Sequence, residues 1–144
     1  MNWIKYEYEE GGILPDGSKV PNIPILKMML VRRDINKFIA GDTLVDTGFD
    51  YSFYSNPEVS NFLEGLKPID VVRLKSVREP IECEIYEIEA FLTSEDFKPT
   101  KKLGKIKIYV PTDAESLSDA ALVGREILNS LGLKLDGKYV EVRG

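Results

Sequence analysis

Asp46 stands in the segment Leu44-Val45-Asp46-Thr47-Gly48, where a short stretch, Thr43-Leu44-Val45, runs into an acid, a hydroxyl and a glycine. This order places a carboxylate at the end of a strand, where a rigid support can hold it for general acid or base work. Thr47 supplies a hydroxyl able to lock the loop, and Gly48 lets backbone approach a ligand closely. Taken alone the tripeptide is weak, because a type I turn at a strand end accounts for it. A second constellation lies late in the chain. Ala121-Leu122-Val123-Gly124-Arg125-Glu126-Ile127-Leu128 is followed by Leu131-Gly132-Leu133-Lys134-Leu135-Asp136-Gly137. An ordinary amphipathic helix from about Glu115 to Leu131 is the competing account, but Gly124 in its interior would cost about 1 kcal/mol.

The sequence contains no histidine. That removes the usual general base of serine and cysteine hydrolases and the commonest transition-metal ligand, so any hydrolytic chemistry falls to carboxylates or lysines. Cys83 is the sole cysteine, which excludes an intrachain disulfide and the cysteine-rich metal patterns. No twelve-residue loop has the acid and glycine spacing of a calcium site, and neither a metal nor another cofactor is expected. The net charge is -5, with lysines and arginines scattered among acids, so the chain lacks the basic field that would hold a nucleic acid. No apolar run approaches the roughly 18 residues needed to cross a bilayer, and no membrane partner is expected. The segment from Met1 to Glu10 lacks the basic start and continuous apolar stretch of a secretory signal, which points to a cytoplasmic location.

Positioning such residues requires a scaffold, and the pattern around them is that of short strands. Ile4, Tyr6 and Tyr8 alternate with Lys5, Glu7 and Glu9, the period of a strand with one buried face. Gly11-Gly12 and Pro15-Asp16-Gly17 mark turns, and an extended stretch follows from Pro24 to Arg33. A bend at Arg33-Asp34-Ile35-Asn36 leads into Lys37-Phe38-Ile39-Ala40, and Gly41-Asp42 reads as another turn. Asn56 before Pro57 resembles an N-cap with proline at the first helical position, so a short helix through Val59, Phe62 and Leu63 is expected. Val71 to Leu92 reads as a long strand forming one arm of a hairpin, and Lys105 to Val110 alternates cleanly. Glu126 to Leu131 has helical spacing and stops at Gly132, a suitable C-cap. Leu133-Lys134-Leu135 and Tyr139 to Val142, joined through Asp136-Gly137-Lys138, predict a terminal hairpin. The expected class is mostly β, a small closed barrel with one short C-terminal helix.

The two constellations together resemble those of the retropepsin-like aspartic peptidases, the single-domain family that includes the retroviral proteases. In that family an apolar-apolar-Asp-Thr-Gly loop comes early, an apolar-apolar-Gly-Arg segment opening a late helix comes last, and a flap hairpin lies between. Asp46-Thr47-Gly48, the Ile81 to Leu92 hairpin arm and Leu122-Val123-Gly124-Arg125 occur in that order. Asp50, two residues after the glycine, stands where the retroviral members carry an acid that pairs with the late arginine, here Arg125. Such a pair is chemically sensible, since a guanidinium fork suits a carboxylate. The resemblance covers roughly Ile25 to Val142, so residues 1–23 read as an N-terminal extension that either adds a strand or covers the cleft, and residues 24–144 as the peptidase domain.

What the resemblance implies is a homodimer that hydrolyses peptide bonds with an Asp46 from each chain, the two carboxylates sharing one proton and working best at acidic pH. A single Asp-Thr-Gly on a chain of 144 residues requires a second copy of itself as partner. Thr47 would cross-link the two loops, Gly48, Phe49 and Asp50 would border the peptide substrate, and Asp50, Gly124 and Arg125 would support the site. Terminal strands such as Tyr139 to Val142 would complete the dimer by strand pairing. Two departures stand out: Phe49 replaces a usually small residue, and the flap tip, Lys75-Ser76-Val77-Arg78-Glu79-Pro80, lacks the usual glycines. They favour the alternative of a non-catalytic module of the same fold that binds peptide or dimerises. A third reading is an unrelated β-barrel binding module in which Asp46-Thr47-Gly48 is only a turn.

Overall fold

The computed structural model describes residues 3–75 and 79–143. Its strands are β1 (Trp3–Glu7), β2 (Ile25–Arg32), β3 (Lys37–Val45), β4 (Phe53–Tyr54), β5 (Asp70–Leu74), β6 (Ile81–Thr93), β7 (Pro99–Pro111), β8 (Leu122–Val123), β9 (Leu133–Leu135) and β10 (Tyr139–Arg143). Helix α1 (Pro57–Phe62) follows β4, a 3-10 turn spans Ala114–Ser116, and α2 (Arg125–Leu128) follows β8. The protein is therefore mostly β, and the described residues hold two short α-helices and one 3-10 turn, where the pattern suggested a short helix through Val59, Phe62 and Leu63 and another near the C terminus.

Six strands close into a barrel in the order β2-β3-β8-β4-β7-β6, with β6 returning to β2. Closure depends on the length of β6. Its Glu89–Leu92 end pairs with β2, its Ile81–Ile85 end pairs with β5, and β7 runs along its other edge. β5 therefore adds outside the barrel as an edge strand on β6, whose Cys83–Ile85 stretch stays paired with β7 on its other side. The segment from Val71 to Leu92, expected as a single long strand, is in fact both arms of the β5–β6 hairpin. Part of its tip, residues 76–78, lies outside the described residues. The β6–β7 ladder slips between Ala90 and Phe91, where Leu103 is the extra residue and Gly104 takes a φ of +81°. A bulge of this kind sharpens the twist a closed barrel needs.

The strand β3 corrects one local expectation. Gly41 and Asp42 do not turn the chain but lie inside β3, paired with Met28 and Lys27 in an unbroken antiparallel ladder. Lys27 Nζ meets Asp42 Oδ1 at 2.8 Å across that ladder. The true turn is at Asn36, which takes a φ of +52°. Elsewhere the local chemistry works as the sequence suggests. The Asn56 side chain accepts from Val59 N–H at 2.9 Å with Pro57 opening α1. Asp136 Oδ1 accepts from the N–H groups of Lys138 and Tyr139 at 2.8 and 2.7 Å in the β9–β10 turn, where Gly137 has a φ of +92°.

A separate three-stranded antiparallel sheet, β1-β10-β9, joins the two ends of the chain. Tyr6, Val140 and Val142 from this sheet are fully buried and share one core with Leu26, Leu92, Phe53 and Ile108 of the barrel. Tyr6 O–H donates to Thr93 O at 2.6 Å, and burial pushes its phenol well above the usual range. Two expectations change here. Tyr139 to Val142 has a neighbour on each side, β1 and β9, so it offers no free edge; the open edges of this sheet belong to β1 and β9. Gly132 is not a C-cap: α2 ends at Asn129, and a Cβ on Gly132 would lie 2.9 Å from the Cβ of Arg143. Close packing against β10, not helix termination, requires the glycine.

Candidate functional site

Asp46 emerges where β3 ends, and the segment that holds it in place comes from the far end of the sequence. Strand β8 inserts between β3 and β4, parallel to the first and antiparallel to the second. Asp46 N–H donates to Val123 O at 2.9 Å, and Gly124 N–H donates to Ser52 O at 2.8 Å. The loop from Asp46 to Ser52 is thus clamped at both ends by one dipeptide. Parallel pairing of β3 with β8 needs a long crossover, which is why residues so distant in sequence meet here.

Within the loop, Phe49 N–H donates to Asp46 O at 3.1 Å, a turn that folds Thr47 and Gly48 over the strand end. Gly48 N–H donates to Asp46 Oδ1 at 3.0 Å, which restrains the carboxyl group's orientation. Asp46 is half-buried, while Thr47 and Gly48 are exposed. Among the described residues the Thr47 hydroxyl makes no hydrogen bond.

The second segment locks onto the first through its glycine and arginine. A Cβ on Gly124 would lie 2.1 Å from Tyr51 O and 2.6 Å from Phe49 O, so only glycine fits against the loop's backbone. Arg125 N–H donates to Phe49 O at 2.9 Å and Glu126 N–H to Tyr51 O at 3.3 Å. The Arg125 guanidinium, through Nη2, also contacts Asp50 Oδ1. Both side chains are at least half exposed, so the ion pair adds little net stability and acts mainly to orient α2 against the loop. Asp50, Gly124 and Arg125 are thus brought together with Asp46-Thr47-Gly48 in one hydrogen-bonded unit.

Phe49 points to the other side of that unit. Its ring makes edge contacts with Tyr51, Tyr54 and Tyr109 at centroid distances of 5.7, 5.8 and 6.4 Å. These rings form a small apolar cluster with Leu74, Cys83 and Ile85 from the β5–β6 arm. Burial, with the nearby Cys83 charge as a smaller cause, pushes the Tyr54 phenol up to about 12, and burial followed by Glu82 pushes the Cys83 thiol up to about 11. Between the loop and the base of the arm lies a cleft of about 180 Å³. Gly48, Phe49 and Asp50 form one wall, and Leu74, Lys75 and Ile81 form the other.

Sequence reasoning missed the aromatic floor of this cleft and the part played by Ser52. Ser52 is buried, donates from Oγ to Lys107 O and accepts from Gly124 N–H, tying the loop to β7 as well as β8. The available signal was the run Tyr51-Ser52-Phe53-Tyr54 directly after the acidic loop. Its alternation sends Phe53 into the main core and Tyr54 into the aromatic cluster. Among the described residues, no group of three or more acidic or cysteine side chains is arranged to hold a metal ion.

No known protein-family model matches this chain, and no curated protein sequence matches it.

Proposed function

We propose that the chain is one half of a homodimeric aspartic endopeptidase, in which Asp46 from each copy meets at a two-fold axis and the pair activates water. The observation that carries this reading is the clamp: Asp46-Thr47-Gly48, Asp50 and Gly124-Arg125 form one hydrogen-bonded unit at the mouth of a cleft beside the β5–β6 hairpin. It is the arrangement that the resemblance to retropepsin-like peptidases calls for. In the reaction, one carboxylate takes a proton from water as its oxygen attacks the scissile carbonyl carbon, and the partner carboxyl gives its proton to the carbonyl oxygen. Collapse of the tetrahedral intermediate returns a proton to the leaving nitrogen and breaks the C–N bond. Gly48 N–H holds Asp46 in place, Thr47 reaches across to the other loop, and the β5–β6 arm covers the peptide.

The test is incubation with an unstructured polypeptide across acidic pH. Wild-type protein cuts it, and Asp46→Asn, which keeps the Oδ1 acceptor for Gly48 N–H, folds normally and does not. Cleavage that persists in Asp46→Asn sinks the assignment. One observation favours a second reading, a non-catalytic peptide-binding or dimerising module: Phe49 occupies one wall of a small cleft and is braced by three tyrosines. A wild-type dimer that binds peptide and never cuts it would establish that alternative.

A further inference from the structure

β3 is nine residues long, but on its β8 side only Leu44 and Val45 are paired, because β8 is a dipeptide. The alternation of an antiparallel ladder decides which backbone groups are left over. Val45 N–H donates to Pro24 O on the β2 side, and Leu44 N–H donates to Ala121 O on the β8 side. Counting back by twos, Phe38, Ala40 and Asp42 present their N–H and C=O groups away from β2. No strand among the described residues pairs with them there. The edge is accessible: Ala40 and Asp42 are exposed, and Phe38 is 63% exposed, unusual for so large an apolar side chain.

This open edge borders a cavity of about 270 Å³, which lies in the barrel wall away from Asp46. Leu30, Phe53 and Val59 give it an apolar floor, and the Ile39–Leu44 stretch of β3 forms one side. Its rim is acidic. Glu9, Glu58 and Asp119 are exposed there and form no ion pair among the described residues, and Asp42 is paired with Lys27. Among the described residues, no lysine or arginine lines the cavity. An extended main chain finds unpaired partners on the edge, an apolar side chain finds the floor, and a cationic side chain finds three uncompensated carboxylates.

We infer that the open edge of β3 is a docking site for an extended, basic peptide segment that adds as a strand beside Phe38–Asp42, with alternate apolar side chains turned toward the cavity floor and the cationic ones on the outer side, within reach of the acidic rim. Strand addition of this kind draws affinity from main-chain hydrogen bonds and selectivity from alternate side chains. Five residues at about 3.3 Å each span the unpaired stretch. The site is independent of the Asp46 cleft and stands whether or not the protein cuts peptides.

The experiment titrates the peptide acetyl-Lys-Val-Lys-Leu-Lys-amide into isotopically labelled full-length Asp46→Asn protein, a background in which hydrolysis cannot consume the probe, and follows backbone amide shifts. The expected result is a saturable shift confined to Phe38–Asp42, Glu58 and Asp119–Ala121, weakened by salt. Glu58→Lys combined with Asp119→Lys, both on the surface, weakens binding about tenfold or more. Replacing lysine by glutamate in the probe, or N-methylating the one alternate set of its amides that faces β3, abolishes the shift without touching the protein's fold, while N-methylating the other set leaves it. Shifts centred on Gly48–Tyr51 and the β5–β6 arm, equal binding of the acidic peptide, tolerance of both N-methylated probes, or no shift at millimolar peptide would each overturn the inference. Concentration-dependent shifts at β3 without peptide would overturn it as well, since a second copy would then be the occupant.

Discussion

Replacing Gly124 by alanine tests whether the two sequence segments are one mechanical unit. The added methyl would sit 2.1 Å from Tyr51 O, 2.5 Å from the Phe49 ring and 2.6 Å from Phe49 O. Two of the three are backbone atoms, and a comfortable carbon–oxygen contact is longer by about 1 Å, so the loop and the β8–α2 junction must separate by about that much. Overpacking of this kind costs about 1–3 kcal/mol. The separation also stretches the bonds from Arg125 N–H to Phe49 O and from Gly124 N–H to Ser52 O, each worth about 1 kcal/mol. Destabilisation of about 2–4 kcal/mol follows, which for a chain of this size lowers the thermal midpoint by roughly 5–15 °C. The assay is urea and thermal unfolding followed by circular dichroism. Gly41→Ala is the control, since nothing lies within 4 Å of its Cβ and the change should stay within about 0.5 kcal/mol. If Gly124→Ala unfolds at the wild-type midpoint, the Asp46 loop is not clamped as described.

Three further perturbations probe the scaffold. Tyr6→Phe removes the donor to Thr93 O and leaves that carbonyl unsatisfied, costing about 1–2 kcal/mol in urea unfolding; an unchanged midpoint would mean the terminal sheet is not anchored through this bond. Arg32 is 5% exposed and donates to Phe62 O and Glu64 O at the end of α1, so Arg32→Met should cost about 2–3 kcal/mol and open α1 to amide exchange before the barrel. Asp136 is held below its ordinary value of 3.8, first by the N–H of Tyr139 and then by that of Lys138. Because its folded value is depressed, its contribution is complete above the unfolded value and disappears as pH falls through the folded one. Asp136→Ala is therefore less stable than wild type at neutral pH, the gap closes as pH drops below about 4, and Asp136→Asn, which keeps the acceptor, shows a much smaller gap at neutral pH. A gap that stays constant from pH 7 to pH 2 would contradict the turn chemistry.

The features legible in the sequence are those decided by neighbours in the chain. Asn56 with Pro57, Asp136 with Gly137, and the alternation from Lys105 to Val110 each carry their own local cause, and the structure uses them as written. Gly41-Asp42 misled because a turn-forming pair was overruled by the eight-residue ladder with β2 and by Lys27 across it. Gly132 misled for a similar reason: its need for glycine comes from Arg143, eleven positions on, and not from the end of α2. At the site, Asp46, Asp50 and Gly124-Arg125 were readable as types in order, but the aromatic brace beneath Phe49 was not, because Tyr54, Tyr109 and Cys83 come from three different strands.

One geometric fact has two consequences for the molecule. β8 is short enough to slip between β3 and β4 and deliver Gly124 and Arg125 onto the Asp46 loop, where a longer strand would carry the chain past it. The same brevity leaves Phe38, Ala40 and Asp42 unpaired and opens the barrel wall over Leu30, Phe53 and Val59. Lengthening β8 at its N-terminal end would therefore separate the two. Replacing Asp119-Ala120 with Val-Thr extends β propensity along the β3 edge while removing one rim carboxylate. Such a variant should bind the basic peptide at least tenfold more weakly while keeping whatever the Asp46 cleft does, because the clamp from Leu122 to Arg125 is untouched. Parallel loss of both properties would show that the edge and the cleft are a single surface.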